Sequence, residues 1–226
     1  MIVALNNKSN LEKDEFINYL NNLKRISTNS TLILCPTYLN IPLVDGVLLG
    51  SQNVSKENNG AFTGEISAKQ LKSYGVQYSI VGHSERREYQ KETNEDIKEK
   101  IIKLQENDII PILCIGESKI ERENGTYKEV LKEELSILND ISKDNIIVAY
   151  EPIWSIGTGI IPTNSEIEEV FTLIKSILPN NKVLYGGSAN NDNIDTLKEI
   201  DLIDGYLLGG LSLKPDKLQE FLNKLN

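Results

Sequence analysis

Polar and ionisable side chains follow several apolar segments of this chain at the point where each segment ends. They are Asn6 and Lys8, His83 and Glu85, and Glu151. A carboxylate at the end of a buried strand is partly desolvated, which raises its pKa and makes it a stronger base. Glu151 is therefore a candidate general base, although an ion-paired strand terminus would place a glutamate there equally well.

His83 is the only histidine in the chain. A lone histidine is more often a hydrogen-bonded structural residue than a functional one. This histidine, however, lies where an apolar segment gives way to the polar run Ser84-Glu85-Arg86-Arg87, which makes it a candidate proton donor. We expect Arg86 and Arg87 to form structural ion pairs.

Glycine-rich turns follow the last two apolar segments, as Gly186-Gly187-Ser188 and Gly209-Gly210. Such turns let backbone N–H groups approach an anion closely, and barrel enzymes often bind phosphate at this place. Lys8 adds a positive charge that attracts a small dianion. The sequence predicts a phosphate site here.

The segment after Glu151 combines stiff and apolar residues with a Gly-Thr-Gly tip. Such a segment is typical of a lid that closes over a ligand and excludes water, and a plain connecting loop is the alternative. The predicted lid consists of Pro152, Ile153, Trp154, Ser155, Ile156, Gly157, Thr158 and Gly159. Together the sequence predicts proton transfer on a small phosphorylated carbonyl compound, because this chemistry uses a base, a neutral donor, a cation, a phosphate site and a lid.

Eight short apolar runs must position these groups, and each predicts a strand that is buried on both faces. They are Ile2–Leu5, Thr31–Cys35, Val47–Leu49, Tyr78–Val81, Ile109–Ile115, Ile146–Tyr150, Val183–Tyr185 and Tyr206–Leu208. Helical spacing separates them, for example at Ile97, Ile101 and Leu104, and Thr163 with Glu166 predicts a capping box.

Alternating strands and helices predict repeated βα units and a parallel sheet. We favour a closed (β/α)8 barrel over an open doubly wound sheet for two reasons. The chain begins on a predicted strand and ends on a predicted helix, which gives eight whole units. No Gly-x-Gly-x-x-Gly follows the first strand. Because the strand ends of a barrel meet on one face, the candidate residues should converge there.

Composition narrows the class of protein. The chain has 226 residues, which predicts one domain over residues 1–226, and its net charge of −9 argues against a general nucleic-acid binder. No apolar run is long enough to span a membrane, and no secretion signal is evident, so we expect a cytoplasmic location. The two cysteines, Cys35 and Cys114, predict neither a disulfide scaffold nor a metal site, and we expect no cofactor.

The motifs together resemble those of triosephosphate isomerase, from Ile2 to Leu213. The matching pieces are Asn6-x-Lys8, Gln52-Asn53, Gly60-Ala61-Phe62-Thr63-Gly64-Glu65, Val81-Gly82-His83-Ser84-Glu85-Arg86-Arg87, Cys114-Ile115-Gly116-Glu117, Ala149-Tyr150-Glu151-Pro152-Ile153-Trp154, Ile156-Gly157-Thr158-Gly159, Tyr185-Gly186-Gly187-Ser188, Asp204-Gly205 and Gly209-Gly210. The resemblance implies a single-domain (β/α)8 TIM barrel that interconverts dihydroxyacetone phosphate and D-glyceraldehyde 3-phosphate.

The resemblance also implies a role for each candidate residue. Glu151 would move a proton between C1 and C2, and a neutral His83 would polarise the carbonyl. Lys8, held by Glu85, would stabilise the enediolate, with Asn6 donating a hydrogen bond nearby. This mechanism is a standard example of barrel-enzyme chemistry and is implied by the family resemblance alone.

Two further expectations come from the resemblance. Backbone N–H groups of Gly157, Ser188, Gly209 and Gly210 would bind the substrate phosphate. Family members are usually dimers, so we expect a homodimer with its interface near Asn53, Phe62, Thr63, Gly64 and Glu65.

The chain departs from the family pattern in two places. Asn7 and Ser9 replace two bulky residues beside Lys8, which changes local packing more than chemistry. Pro162 stands where the family has a backbone N–H that helps to hold the closed lid against Tyr185, and proline has no N–H. We therefore expect altered lid kinetics.

Two other functions stay open at the level of sequence. A different barrel isomerase or lyase acting on a sugar phosphate would share the phosphate site but arrange its acid and base differently. A phosphate-binding barrel without turnover would serve as a sensor.

Overall fold

The computed structural model describes residues 1–156 and 160–225. Eight strands run along the described chain: β1 (Ile2–Asn6), β2 (Thr31–Cys35), β3 (Leu48–Ser51), β4 (Tyr78–Val81), β5 (Ile110–Ile115), β6 (Ile147–Tyr150), β7 (Lys182–Tyr185) and β8 (Gly205–Leu208). All eight predicted strands are confirmed: β2 and β4 have the predicted bounds, and the other six differ by one or two residues at an end.

Helices follow or separate these strands: α1 (Lys13–Leu23), α2 (Ala68–Ser73), α3 (Ser84–Tyr89), α4 (Asn94–Gln105), α5 (Lys119–Glu123), α6 (Tyr127–Ser136), α7 (Asn164–Ile177), α8 (Ile194–Leu197) and α9 (Pro215–Leu225). Short 3-10 turns cover Tyr38–Leu43, Ile153–Ser155 and Gly210–Leu213. The predicted capping box is confirmed at α7, where Thr163 Oγ1 accepts the N–H of Glu166 and the Glu166 carboxylate accepts the N–H of Thr163.

The strands form a closed parallel barrel in which each strand pairs with the next and β8 pairs with β1. Ala4 of β1 lies beside Ile33 of β2 on one side and Leu207 of β8 on the other. The prediction of a closed barrel over an open sheet is therefore confirmed. The fold is the (β/α)8 TIM barrel.

Successive residues of each strand face two different apolar cores. Ala4 and Ile33 belong to the cluster inside the barrel, while Val3 and Leu5 belong to the larger cluster between strands and helices. Because side chains alternate along a strand, both faces must be apolar, and this explains the unbroken apolar runs in the sequence.

Because side chains alternate along each strand, the polar residues at the strand ends point toward the barrel axis. Glu151 is two positions after Ala149, an interior residue of β6. Asn6 is likewise two positions after the interior Ala4. These side chains therefore lie above the interior core, at the carboxyl ends of the strands.

Hydrogen bonds join the two ends of the chain beside the barrel. Ser212 Oγ donates to the carbonyl oxygen of Asn6 over 3.1 Å, and Asn7 Nδ2 donates to Ser212 Oγ over 3.2 Å. All three residues are buried. The loop that carries Lys8 is thus fixed in part by a residue from the last tenth of the chain.

None of the helices in the described ranges has the length and apolar character that crossing a membrane would require.

Candidate active site

A cavity of about 550 Å³ opens at the carboxyl ends of the strands. Asn6 and Lys8 line it after β1, His83 after β4, and Glu151 after β6. Residues that are far apart in the sequence thus share one cavity, as expected from the closure of the barrel.

Glu151 and His83 are in direct contact at the base of this cavity. Glu151 Oε1 lies 3.1 Å from His83 Nε2, and Glu151 Oε2 accepts the backbone N–H of Ser84 over 3.3 Å. Glu151 is only 3% exposed and His83 only 5%. Proton transfer between either group and a ligand that enters the cavity is geometrically feasible.

The sequence-based expectation for the pKa of Glu151 is wrong in its net direction. Burial does raise the pKa, but His83, the N–H of Ser84 and Lys8 outweigh burial, so the pKa lies below its ordinary value. Each of these groups favours the carboxylate by charge or by hydrogen bonding. Glu151 is therefore ionised, and available to accept a proton, in the unliganded site.

His83 is subject to opposing influences. Burial lowers the pKa of His83, but the Glu151 carboxylate raises it by more than burial lowers it. The pKa of His83 therefore lies above its ordinary value. The N–H of Glu85, however, donates to His83 Nδ1 over 3.2 Å, so Nδ1 carries no proton in this arrangement. We assign the neutral tautomer with its proton on Nε2, because the N–H that donates to Nδ1 is fixed in the first turn of α3.

Lys8 adopts an uncommon backbone conformation, with φ of 51°. Its N–H donates to Asn6 Oδ1 over 3.0 Å, and its carbonyl oxygen accepts Gln52 Nε2 over 2.8 Å. Lys8 Nζ lies 2.5 Å from Glu85 Oε1. Strained backbone that is held by several partners is typical of functional residues, and here it fixes an ammonium group beside His83.

Three of the four predicted phosphate residues line the same cavity. Ser188, Gly209 and Gly210 all line it, while Gly157 falls outside the described residues. A Cβ atom on Gly209 would lie 3.3 Å from Lys8 Cε, so the glycine lets the lysine side chain pass closely. A Cβ atom on Gly210 would meet no atom within 4 Å, which leaves its backbone accessible from the cavity.

Comparison with known proteins decides the family. The family profile described as Triosephosphate isomerase matches residues 1–225. The chain is 40% identical to a triosephosphate isomerase of Mesomycoplasma hyopneumoniae (strain 232), covering 96% of this chain and 94% of that protein. It is 38% identical to a triosephosphate isomerase of Trichodesmium erythraeum (strain IMS101), covering 96% of this chain and 94% of that protein. It is 36% identical to a triosephosphate isomerase of Clostridium botulinum (strain Langeland), covering 98% of each chain.

The chain belongs to the triosephosphate isomerase family. As a member of this family it is an isomerase, and the resemblance noted from the motifs is confirmed.

The described part of the predicted lid, Pro152–Ile156, is anchored at its base by a buried carboxylate. Glu117 Oε1 accepts hydrogen bonds from Trp154 Nε1 over 2.9 Å, Tyr150 Oη over 3.0 Å and Arg122 Nε over 2.9 Å. Ser188 Oγ also donates to the carbonyl oxygen of Ser155 over 2.5 Å. The remaining predicted lid residues, Gly157, Thr158 and Gly159, lie outside the described residues.

Sequence reasoning missed the supporting roles of Glu117 and of Glu134, a second buried carboxylate. Glu134 Oε2 accepts the N–H of Gly116 over 2.8 Å, and burial raises the pKa of Glu134 to about 7. Gly116 packs against the backbone of Glu151, because a Cβ atom there would lie 1.8 Å from the carbonyl oxygen of Glu151. The Gly116-Glu117 pair was visible in the motif, but nothing in the helical pattern distinguished Glu134 from exposed glutamates.

The two arginines beside His83 form ion pairs, as expected. Arg86 pairs with Glu92, and Arg87 Nε lies 3.4 Å from Glu134 Oε1. Neither arginine lines the main cavity.

A smaller cavity of about 340 Å³ adjoins the site on the side of Lys8 and Glu85. Asn53, a predicted interface residue, also lines it. The other predicted interface residues, Phe62, Thr63, Gly64 and Glu65, form an exposed loop, and the Phe62 ring is 43% exposed.

Two hydroxyl groups near the predicted lid have no hydrogen-bond partner within the described ranges except each other. They are Tyr185 Oη and Ser155 Oγ, and both are buried. A Cβ atom on Gly187 would lie 2.3 Å from Tyr185 Oη and 2.8 Å from Ser155 Oγ, so the two hydroxyl groups are neighbours. Pro162, which is buried, supplies no N–H to either group.

Across residues 1–156 and 160–225, no group of three or more His, Cys, Asp or Glu side chains is placed to hold a metal ion.

Proposed function

We propose that this isomerase interconverts dihydroxyacetone phosphate and D-glyceraldehyde 3-phosphate through an enediolate intermediate. The observation that carries the proposal is the 3.1 Å contact between Glu151 and His83 in a cavity that Lys8 and two glycine turns also line. A substrate carbonyl that enters between the carboxylate and the imidazole would meet a base on one side and a hydrogen-bond donor on the other.

In this mechanism Glu151 removes a proton from one carbon of the substrate and returns it to the neighbouring carbon. The carboxylate is ionised in the unliganded site, so it needs no prior deprotonation. Entry of the substrate would displace His83 from Glu151, which removes an interaction that favours the carboxylate and makes the group a stronger base.

His83 donates from Nε2 to the substrate oxygens and carries the proton between them. The N–H of Glu85 on Nδ1 keeps the ring in the tautomer that this step needs. Lys8 stabilises the negative charge of the enediolate, and its ion pair with Glu85 sets the direction of the ammonium group.

The phosphate group would be bound by backbone N–H groups of Gly157, Ser188, Gly209 and Gly210. Binding this remote group fixes the three-carbon skeleton over Glu151, so binding energy is used to orient the reacting atoms. Closure of the lid over the same group excludes water and prevents loss of phosphate from the enediolate.

Replacing Pro162 by alanine should change the rate of lid opening by about fivefold, the effect of roughly one net hydrogen bond. The new N–H would supply the donor to Tyr185 that the family resemblance implies at this position, and the closed lid would then open more slowly. Relaxation dispersion with bound 2-phosphoglycolate measures the rate. Pro179→Ala is the matched control, because Pro179 is exposed between α7 and β7. Rates for P162A equal to those of the wild type would contradict the prediction.

We also propose that the chain acts as a homodimer. The exposed loop at Phe62–Glu65 would enter the partner's smaller cavity, near Lys8 and Glu85, and complete the walls of the partner's site. Such an arrangement explains why a large aromatic ring is exposed on this loop.

Thr63→Arg should convert the dimer into monomers and lower kcat by at least about tenfold, because a long charged side chain would not fit a cavity that already holds Lys8 and Arg86. Sedimentation velocity and the isomerase assay measure the two effects. Thr172→Arg on the exposed face of α7 is the control. A T63R protein that stays dimeric would overturn this placement of the interface.

The function itself is tested by isomerisation of glyceraldehyde 3-phosphate and by exchange of its C2 proton with solvent. Turnover with exchange supports the proposal. Turnover of a different sugar phosphate alone would favour another barrel isomerase or lyase, and tight binding without turnover would favour a sensor. The reaction belongs to glycolysis and gluconeogenesis, and from this we infer a cytoplasmic location.

A further inference from the structure

The wall of the main cavity also carries charged residues that have no role in the proposed mechanism. They are Asp192, Lys214 and Lys217. Lys214 directly follows the 3-10 turn Gly210–Leu213, whose first residue belongs to the predicted phosphate site.

The two lysines differ in their partners. Lys217 Nζ lies 3.1 Å from Glu220 Oε2 on the next turn of α9, so its charge is largely balanced. Lys214 is exposed, and its ammonium group forms no ion pair or hydrogen bond with the described residues. Lys8, the other cation of the cavity, is paired with Glu85 at 2.5 Å. Of the three lysines that line the cavity, Lys214 is therefore the one whose ammonium group forms no ion pair with the described residues, and Asp192 is the carboxylate that shares its wall.

We propose that Lys214 is a positioning residue for the phosphate dianion, which it attracts into the cavity and holds against Gly209 and Gly210. This inference rests on the proposed function, because it takes the ligand to be a triose phosphate. The chain carries a net charge of −9 and on average repels a dianion. An ammonium group on the cavity wall that is in no ion pair attracts the dianion at short range and acts on both association and affinity.

The effect should be modest and sensitive to salt. An exposed cation several ångströms from a phosphate acts through water, where charge–charge interactions are weak and are screened over about 8–10 Å at physiological ionic strength. We expect a change in kcat/KM of about three- to tenfold at low ionic strength. The change should appear in KM, since the dianion is present equally in the substrate and in the transition state.

The test compares Lys214→Met with Lys132→Met, an exposed lysine on α6 that makes the same change in net charge away from the cavity. K214M should raise KM for glyceraldehyde 3-phosphate and weaken inhibition by inorganic phosphate three- to tenfold, with kcat unchanged. Both effects should shrink at about 0.5 M salt, and K132M should match the wild type. Lys214→Arg should restore binding.

Glyceraldehyde without phosphate separates this role from a structural one. K214M should leave kcat/KM for this truncated substrate unchanged, because no dianion is present to be positioned. An equal loss with both substrates, or equal effects of K214M and K132M, would overturn the proposal. If the wild type fails to isomerise any triose phosphate, it is the proposed function that fails, and that outcome is recognised before any variant is compared.

Discussion

Replacing Glu151 by glutamine should lower kcat for triose phosphate isomerisation by about 10³- to 10⁴-fold, the usual contribution of a positioned general base. The amide nearly matches the carboxylate in shape but cannot accept the proton from carbon. It can still contact His83 and the N–H of Ser84, so the surroundings should stay in place. Steady-state kinetics and the rate of C2 proton exchange measure the loss, and both should fall together.

Glu129→Gln is the matched control for this variant. Glu129 is exposed on α6, away from the cavity, and the substitution removes the same charge. Thermal unfolding of E151Q should give a somewhat lower melting temperature than that of the wild type at neutral pH, because the lowered pKa of Glu151 means that the folded surroundings stabilise its carboxylate. Exchange of the C2 proton at the wild-type rate in E151Q would eliminate Glu151 as the base.

Replacing His83 should lower kcat by about 10²- to 10³-fold, the typical cost of losing one hydrogen-bond donor to a developing oxyanion. Two substitutions separate the chemistry of the ring from its structural role. In His83→Asn the side-chain oxygen can still accept the N–H of Glu85 and cap α3, but nothing replaces Nε2. In His83→Gln the amide reaches the Nε2 position, and the cap is lost.

We therefore expect H83N to retain stability and to lose the most activity, while H83Q retains more activity and melts at a lower temperature. Steady-state kinetics and thermal unfolding of the two proteins give the comparison. If H83N turned over substrate as fast as the wild type, His83 would be only a helix cap.

The barrel was predictable because its physical cause is visible in the sequence. Val3, Ala4 and Leu5 all had to be apolar, since neighbouring positions on β1 face two different cores. Repetition of that pattern eight times left few alternative folds. The gathering of Asn6, His83 and Glu151 in one cavity then followed from the closure of the barrel alone.

What the sequence could not supply depends on contacts between distant segments. The pKa of Glu151 was predicted from its own burial, but His83 and the N–H of Ser84, brought in by another strand, outweigh it. Glu134 is buried and accepts the N–H of Gly116, whereas the pattern of apolar residues on α6 does not distinguish it from exposed glutamates. Lys214 lies in a charged stretch where the structure alone distinguishes it from its paired neighbour.

The hydrogen bonds from Ser212 to the loop of Lys8 have a consequence for how the protein is made. On the ribosome the lysine emerges among the first residues, and Ser212 is added some two hundred residues later. Earlier βα units can begin to pack during translation, but the φ of 51° at Lys8 has only part of its support until then. A nascent chain released before Ser212 would therefore leave Lys8 without that anchor, even if much of its apolar core had already collapsed.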